Sequence, residues 1–485
     1  MQRQASPSGH WFKSAAIGLL LALPGWVNAD NLPMAVTSES ERTAALATMT
    51  DLPLRYAVGL TPSLTTINGD SGGISVFSAG AQSLGLRIRL HQWPDHLPLE
   101  WRSDSMERPH RIEPHIGATQ WLPDVPGDIA TLTWLRDDLP PGATVTLERV
   151  YHGYRALFAP QARALGSAQP CNRDVACSEA APWEQPVRAT VMVTVGDNNG
   201  RTLCSGAVIN NTANDNRPLL ITARHCGVTS ANANSVIATF NYQRSVCDGA
   251  NDGVSLDTIS SSTWLGESVS GDTTLLELGG DVPLSFDAHL GGWSAETSPP
   301  SNGAGIHHPD GDQKKISLFT MPATASNNVS VSDFIVDAWR IRWSSGTTQG
   351  GSSGSGLWDQ NRRLVGVLSG GSHSCNNLSG VDFYGRLPVA WQDSAAIRNA
   401  LDPASGGTVC SAGGRDVDQA PPTETPSAPS SACPSPTPSP NDGGGGGGNA
   451  GAPFLVMLLL ATLIRRLFGN VVGWQVLTNR LKRVI

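Results

Sequence analysis

Short stretches in which apolar and polar positions alternate with period two recur along the first third of the chain. Gly73-Ile74-Ser75-Val76 and Gly85 to Leu90 read this way, as do Ala130 to Trp134 and Thr144 to Glu148. Turn signals such as Pro126-Gly127-Asp128 and Pro140-Pro141-Gly142 separate them. The pattern predicts half-buried strands, and residues 30–165 are expected to form a small β-sandwich. Further on the strand-like runs become more continuously apolar: Val187 to Val195, Cys204 to Ile209, Leu219 to Ala223 and Thr273 to Leu278. Runs of this kind predict strands buried on both faces. Residues 166–410 give about 245 positions, enough for two small six-stranded barrels meeting at a cleft. Helical spacing is seen at Ala395 to Leu401, ahead of Asp402-Pro403, and predicts a terminal helix. The fold class expected is all-β.

Two apolar runs stand apart from this pattern. Ala15 to Leu23 follows Arg3 and Lys13 and precedes Pro24 and Val27-Asn28-Ala29, the layout of a secretory signal over residues 1–29. Residues 411–450 are rich in Pro, Ser and Thr, end in Gly443 to Gly448, and read as a linker. The run from Gly451 to Ile464 is 14 residues long and is stopped by Arg465-Arg466. That is short of the roughly 20 a spanning helix needs. Residues 451–485 are therefore expected to form a separate apolar tail.

Composition narrows the chemistry. Of the 485 residues only 15% are charged, the net charge is −8, and no basic stripe is present. Nucleic acid is not an expected partner. All eight cysteines lie after residue 170, at 171, 177, 204, 226, 247, 375, 410 and 433. An even set confined to one region fits disulfides formed in an oxidising compartment. Zinc would need paired short spacings, and Cys171 and Cys177 have no matching second pair, so no metal and no other cofactor is expected.

The candidate chemistry centres on Gly350-Gly351-Ser352-Ser353-Gly354-Ser355-Gly356, just before the apolar run Leu364 to Leu368. Glycines around a serine allow a tight turn with the hydroxyl exposed. The amides of Gly351 and Ser353 could then hold a developing oxyanion. His225 stands at the end of the run Leu219 to Ala223, and Asp272 heads Thr273 to Leu278, with Asp281 and Asp287 as rival acids. The order His, Asp, Ser is that of chymotrypsin-type proteases rather than subtilisins or α/β-hydrolases.

Several unusual strings resemble the lysyl endopeptidase group of secreted bacterial serine proteases. They are Cys171 to Cys177, His225-Cys226-Gly227, Phe240 to Gln243, Asp272 to Leu278, Ile306 to Pro309 with Lys314 to Ser317, Gly351 to Ser355, and Tyr384-Gly385-Arg386. The resemblance implies a chymotrypsin-like double β-barrel and a proenzyme whose segment 30–165 is a propeptide. It implies His225 as general base, Asp272 as its orienting partner and Ser353 as nucleophile. It also implies the disulfides Cys171–Cys375, Cys177–Cys247 and Cys204–Cys226, with Cys410 and Cys433 having no counterpart. In that group the acid of the specificity pocket lies just before Tyr-Gly-Arg, here Asp382. Ser369-Gly370-Gly371 stands where the group carries a histidine, so arginine as well as lysine is an expected substrate side chain. Gly443 to Arg466 is similar to glycine-rich C-terminal sorting signals of Gram-negative bacteria, which implies export and contact with a membrane or a sorting peptidase. The expected partners are protein or peptide substrates with basic residues and the protein's own propeptide. A silent binding protein or an esterase on the same fold is the alternative.

Overall fold

The computed structural model describes residues 32–47, 54–155, 157, 168–250, 252, 254–419 and 433–435. The expected signal segment 1–29, most of the linker 411–450 and the tail 451–485 lie outside these residues.

The N-terminal segment forms two packed layers. One is a five-stranded sheet in the order Met34–Val36, Gly73–Phe77, Ile129–Thr133, Leu99–Arg102, His110–Ile112. The other is built on Ser83–His91 paired antiparallel with Thr144–Gly153. Alternation aims Leu84, Leu86, Ile88 and Leu90 to one side, where they meet Ile74, Val76, Leu132, Trp101 and Trp134. Burying each such aliphatic side chain contributes about 1.5–3 kcal/mol before chain entropy is counted.

The second layer does not end with this segment. Arg55–Leu60 pairs on one edge with Thr144–Gly153 and on the other with Gly200–Ile209, with Val58 opposite Gly200 and Arg55 opposite Thr202. The sandwich and the region after it therefore share one thirteen-stranded sheet. The charge that this junction buries is neutralised on the spot. Arg201, 1% exposed, donates to Asp124, 2% exposed, at 2.8 Å, and Tyr56 donates to the same carboxylate oxygen at 2.6 Å.

Two six-stranded barrels follow. In the first, Ile237–Thr239, Thr190–Gly196, Gly200–Ile209, Leu219–Ala223, Thr273–Leu278 and Ser262–Ser268 pair in that order. Thr258–Ser260, just before Ser262–Ser268, pairs back with Ile237–Thr239 and closes it. In the second, Lys315–Phe319, Gly303–His307, Gly356–Asp359, Leu364–Gly371, Asp382–Arg386 and Phe334–Ile341 pair in order. A bridge between Leu318 and Ser345 completes the ring. The helix Ala395–Leu401 is capped by Ser394, whose hydroxyl accepts from the Ile397 N–H. It buries Ile397 and Leu401 in a core shared by both barrels.

Four disulfides are present: Cys171–Cys375, Cys177–Cys247, Cys204–Cys226 and Cys410–Cys433. The last joins the two cysteines for which the resemblance offered no partners. Cys204–Cys226 ties Gly200–Ile209 to the turn carrying His225 across a sequence separation of 22. Replacing both cysteines with alanine should cost about 3 kcal/mol of unfolding free energy, as loop closure predicts. Chemical denaturation of the variant tests this; an unchanged midpoint would mean the bridge constrains nothing.

Candidate active site

The pairing of two strands explains how a histidine and an aspartate 47 positions apart meet. Leu219–Ala223 lies antiparallel to Thr273–Leu278 with Ala223 opposite Thr273. His225, two residues past the end of one, therefore lands beside Asp272, one residue before the start of the other. Asp272 is buried and takes a φ of 45°, while its carbonyl accepts from Arg224 N–H at 2.9 Å. One carboxylate oxygen lies 2.8 Å from His225 Nδ1, and the other accepts the His225 backbone N–H at 2.9 Å. The acid thus fixes both ring and backbone, places the ring proton on Nδ1 and leaves Nε2 as an acceptor. The rival acids are elsewhere: Asp281 is exposed, and Asp287 pairs with Arg188 at 2.7 Å.

The serine comes from the other barrel. Gly351 and Gly354 take φ of 84° and 79°, conformations that favour glycine, and Ser353 is half-buried between them. The Ser353 carbonyl accepts from Ser205 N–H at 2.7 Å and lies 3.9 Å from Cys226 Sγ, next to His225. The amides of Gly351 and Ser353 donate to nothing among the described residues, whereas those of Ser352, Gly354 and Ser355 are all engaged. Two free N–H groups therefore flank the serine. Its hydroxyl makes no hydrogen bond to His225 among the described residues. In enzymes that lack bound substrate such contacts are often loose.

Ser352, the neighbour of Ser353, points inward. Its hydroxyl accepts from Gln349 N–H at 3.1 Å and bonds His307 Nδ1 at 2.8 Å, while His307 Nε2 meets Ser317 at 3.2 Å. Burial, with Lys315 adding to it, pushes the His307 pKa down to about 3, so this strut is neutral at ordinary pH.

Asp382 heads the strand Asp382–Arg386 and is fully buried. Trp343 Nε1 and Thr348 Oγ1 donate to one of its oxygens at 2.6 and 2.7 Å, and His373 N–H reaches the other at 3.3 Å. No cationic side chain bonds it among the described residues. Burial pushes its pKa up, against the pull of the Trp343 and Thr348 hydrogen bonds. Gly371 lies directly opposite, and a Cβ there would stand 2.1 Å from Asp382 Oδ1. Gly370 takes a φ of 144°, and the buried hydroxyl of Ser369 has no partner among the described residues. These three line the strand that faces the acid.

Four contributors had no signal in the sequence. Phe334 stacks on His225 with ring centroids 5.2 Å apart, inclined 20°. Trp343, Thr348 and His373 supply the donors around Asp382. A lone aromatic at a strand head, or a threonine in a Gly/Ser/Thr stretch, looks like many others until the barrel closes.

The chain is similar to several known proteins. Residues 165–385 match the family described as lysyl endopeptidase, C-terminal domain. A lysyl endopeptidase of Pseudomonas aeruginosa is 29% identical over 375 residues, which cover 69% of this chain and 78% of that protein. Among solved structures, an HtrA-type protease with a tripeptide, AlgW, aligns over 44% of this chain and 61% of its own at 14% identity and a TM-score of 0.31. A thermostable serine protease, AL20, from an extremophilic microorganism aligns over 41% of this chain and 92% of its own, with 15% identity and a TM-score of 0.32. The chain is a serine endopeptidase similar to the lysyl endopeptidases.

Proposed function

We propose that the protein cleaves peptide bonds after lysine, and also after arginine, through an acyl-enzyme on Ser353. The observation that carries this reading is the double hold of Asp272 on His225, with the Ser353 turn set against the same disulfide-bonded corner. In the reaction His225 Nε2 takes the Ser353 proton as Oγ attacks the scissile carbonyl. The imidazolium so formed is stabilised by Asp272, which stays ionised. The carbonyl oxygen, now negative, is held by the amides of Gly351 and Ser353. His225 then protonates the leaving amine, and water repeats the sequence to release the acid product. Phe334, stacked on the ring, limits its rotation.

Asp382 supplies the specificity. A buried carboxylate surrounded by neutral donors is short of a counter-charge, which the lysine ammonium or arginine guanidinium of a substrate provides. Segment 30–165 is read as a propeptide, residues 1–29 as an export signal and residues 451–485 as a sorting tail. Among the described residues no helix is long and apolar enough to cross a membrane.

Ser353→Ala should fold normally and lose peptidase turnover by several orders of magnitude, because members of such a triad act as a unit. Near wild-type activity in the purified variant would end the assignment. Asp382→Asn should lower the ratio of kcat/KM for matched lysine and norleucine substrates about 100-fold or more. An unchanged ratio would mean that Asp382 does not read the substrate. In the unaltered enzyme the same ratio should fall on acidification, since only the ionised carboxylate attracts a cation. The fall should begin above the usual carboxylate range, because burial raises the pKa of Asp382. Both substrates meet the same catalytic groups, so the ratio isolates the pocket acid, and a ratio constant across about pH 4–8 would contradict this account.

A further inference from the structure

The junction between the N-terminal layers and the first barrel lies at the edge of the cleft. Leu203 immediately precedes Cys204, the partner of Cys226 in the bridge beside His225. Its N–H donates to the carbonyl of Leu54 at 2.8 Å, and from there Arg55–Leu60 continues along Thr202, Arg201 and Gly200. The side chain of Leu54 covers the serine turn. A Cβ built on Gly351 would stand 3.2 Å from Leu54 Cδ2, and one on Gly350 3.5 Å from Leu54 Cδ1. Leu54 is 9% exposed and Gly351 is buried, so these two shield each other from water, while Gly350 stays exposed.

This edge has a second use. A peptide with its carbonyl oxygen on the Gly351 and Ser353 amides must direct its basic side chain toward Asp382, on the Leu364–Gly371 side. Leu203 lies against the same turn on the other flank, its Cδ2 2.9 Å from a Cβ built on Gly351. A leaving half that runs out on this flank would meet the Leu203 N–H, which Leu54 holds. Pairing of an extended segment with an exposed edge is a general mode of peptide recognition.

The occupant is anchored away from the chemistry. Arg201 belongs to the barrel, but its guanidinium is clothed by the N-terminal layers. It meets Asp124 at 2.8 Å and the Leu122 carbonyl at 2.9 Å, and sits 4.5 Å over the ring of Tyr151. Gly85 makes room for this pair, since a Cβ there would lie 2.5 Å from Arg201 Nη1.

We propose that Leu54–Leu60 is an intramolecular plug for the leaving-group side of the cleft, which blocks extended peptides while leaving the acyl side and Ser353 reachable by small reagents. The proposal rests on Ser353 acting as the nucleophile. It predicts selective inhibition: the uncut chain turns over a lysine thiobenzyl ester, which has no residues beyond the scissile bond, and excludes a peptide with four residues beyond it.

The test uses the full-length chain, kept uncut as followed by electrophoresis, with these two substrates and a small fluorophosphonate label. Leu54→Asp, which places a charge against the serine turn, should raise kcat/KM for the extended peptide at least about 10-fold, the worth of a strand-edge hydrogen bond and its packing. Ester turnover should change less than about 3-fold, a difference within the scatter of a surface substitution. Leu54→Gly, which keeps the strand and removes the side chain, should give a smaller rise of the same selectivity. Equal gains for both substrates, or none for the peptide, would overturn the proposal. Loss of both ester turnover and labelling in every form would instead remove the catalytic reading on which it rests.

Discussion

The structure depends on one close contact between the two barrels. A Cβ on Gly354 would stand 2.2 Å from Thr222 Oγ1, 2.5 Å from the Ser205 carbonyl and 2.7 Å from Ala223 N. Only a residue without a side chain lets the serine turn press this closely on the strand that leads to His225. Everything else about the site can be understood as holding that contact in place. Cys204–Cys226 fixes the strand and its turn to each other, Ser205 N–H holds the Ser353 carbonyl, and the His307–Ser352 strut braces the turn from behind. On the far side Gly385 repeats the device: a Cβ there would lie 2.0 Å from the Gly271 carbonyl, one residue before Asp272. The geometry of the proposed triad is thus set by backbone packing between barrels, and rigid backbone is what catalytic preorganisation needs.

Two buried charges show how burial separates structure from recognition. Arg201 and Asp124 are both hidden and each neutralises the other, so the pair contributes a fixed junction between the N-terminal layers and the first barrel. Removing either partner would leave an uncompensated buried charge, the most costly kind of loss. Asp382 is equally hidden, but among the described residues its hydrogen-bond donors are an indole, a hydroxyl and an amide. Those donors keep a carboxylate tolerable without cancelling its charge, and under the proposed function the cation of a substrate completes it. On that reading the same physics builds a permanent contact in one place and a selective one in the other.

Much of this could be read from the sequence because the chemistry sits at strand ends. His225 and Asp272 close and open apolar runs, and a serine between glycines stands out against a buried strand. Asp382 was accessible only through the resemblance, since nothing in its local sequence distinguishes it from a turn aspartate. Phe334, Trp343 and Thr348 were not legible, because their roles depend on which strands the barrels bring together across gaps of tens of residues. The shared sheet was hidden for the same reason. Arg55-Tyr56-Ala57-Val58 has the apolar character of a strand, but nothing local says that its partner lies near residue 200 rather than within its own sandwich.

The central claim is that Ser353, rather than either neighbouring serine, is the activated nucleophile of a His225–Asp272 pair. Reaction of the protein with a fluorophosphonate, followed by digestion and mass spectrometry, tests it most directly. The account predicts a single adduct on Ser353 that disappears when His225 is replaced by alanine. An adduct on Ser352 or Ser355, or one on Ser353 that forms just as fast without His225, would contradict it.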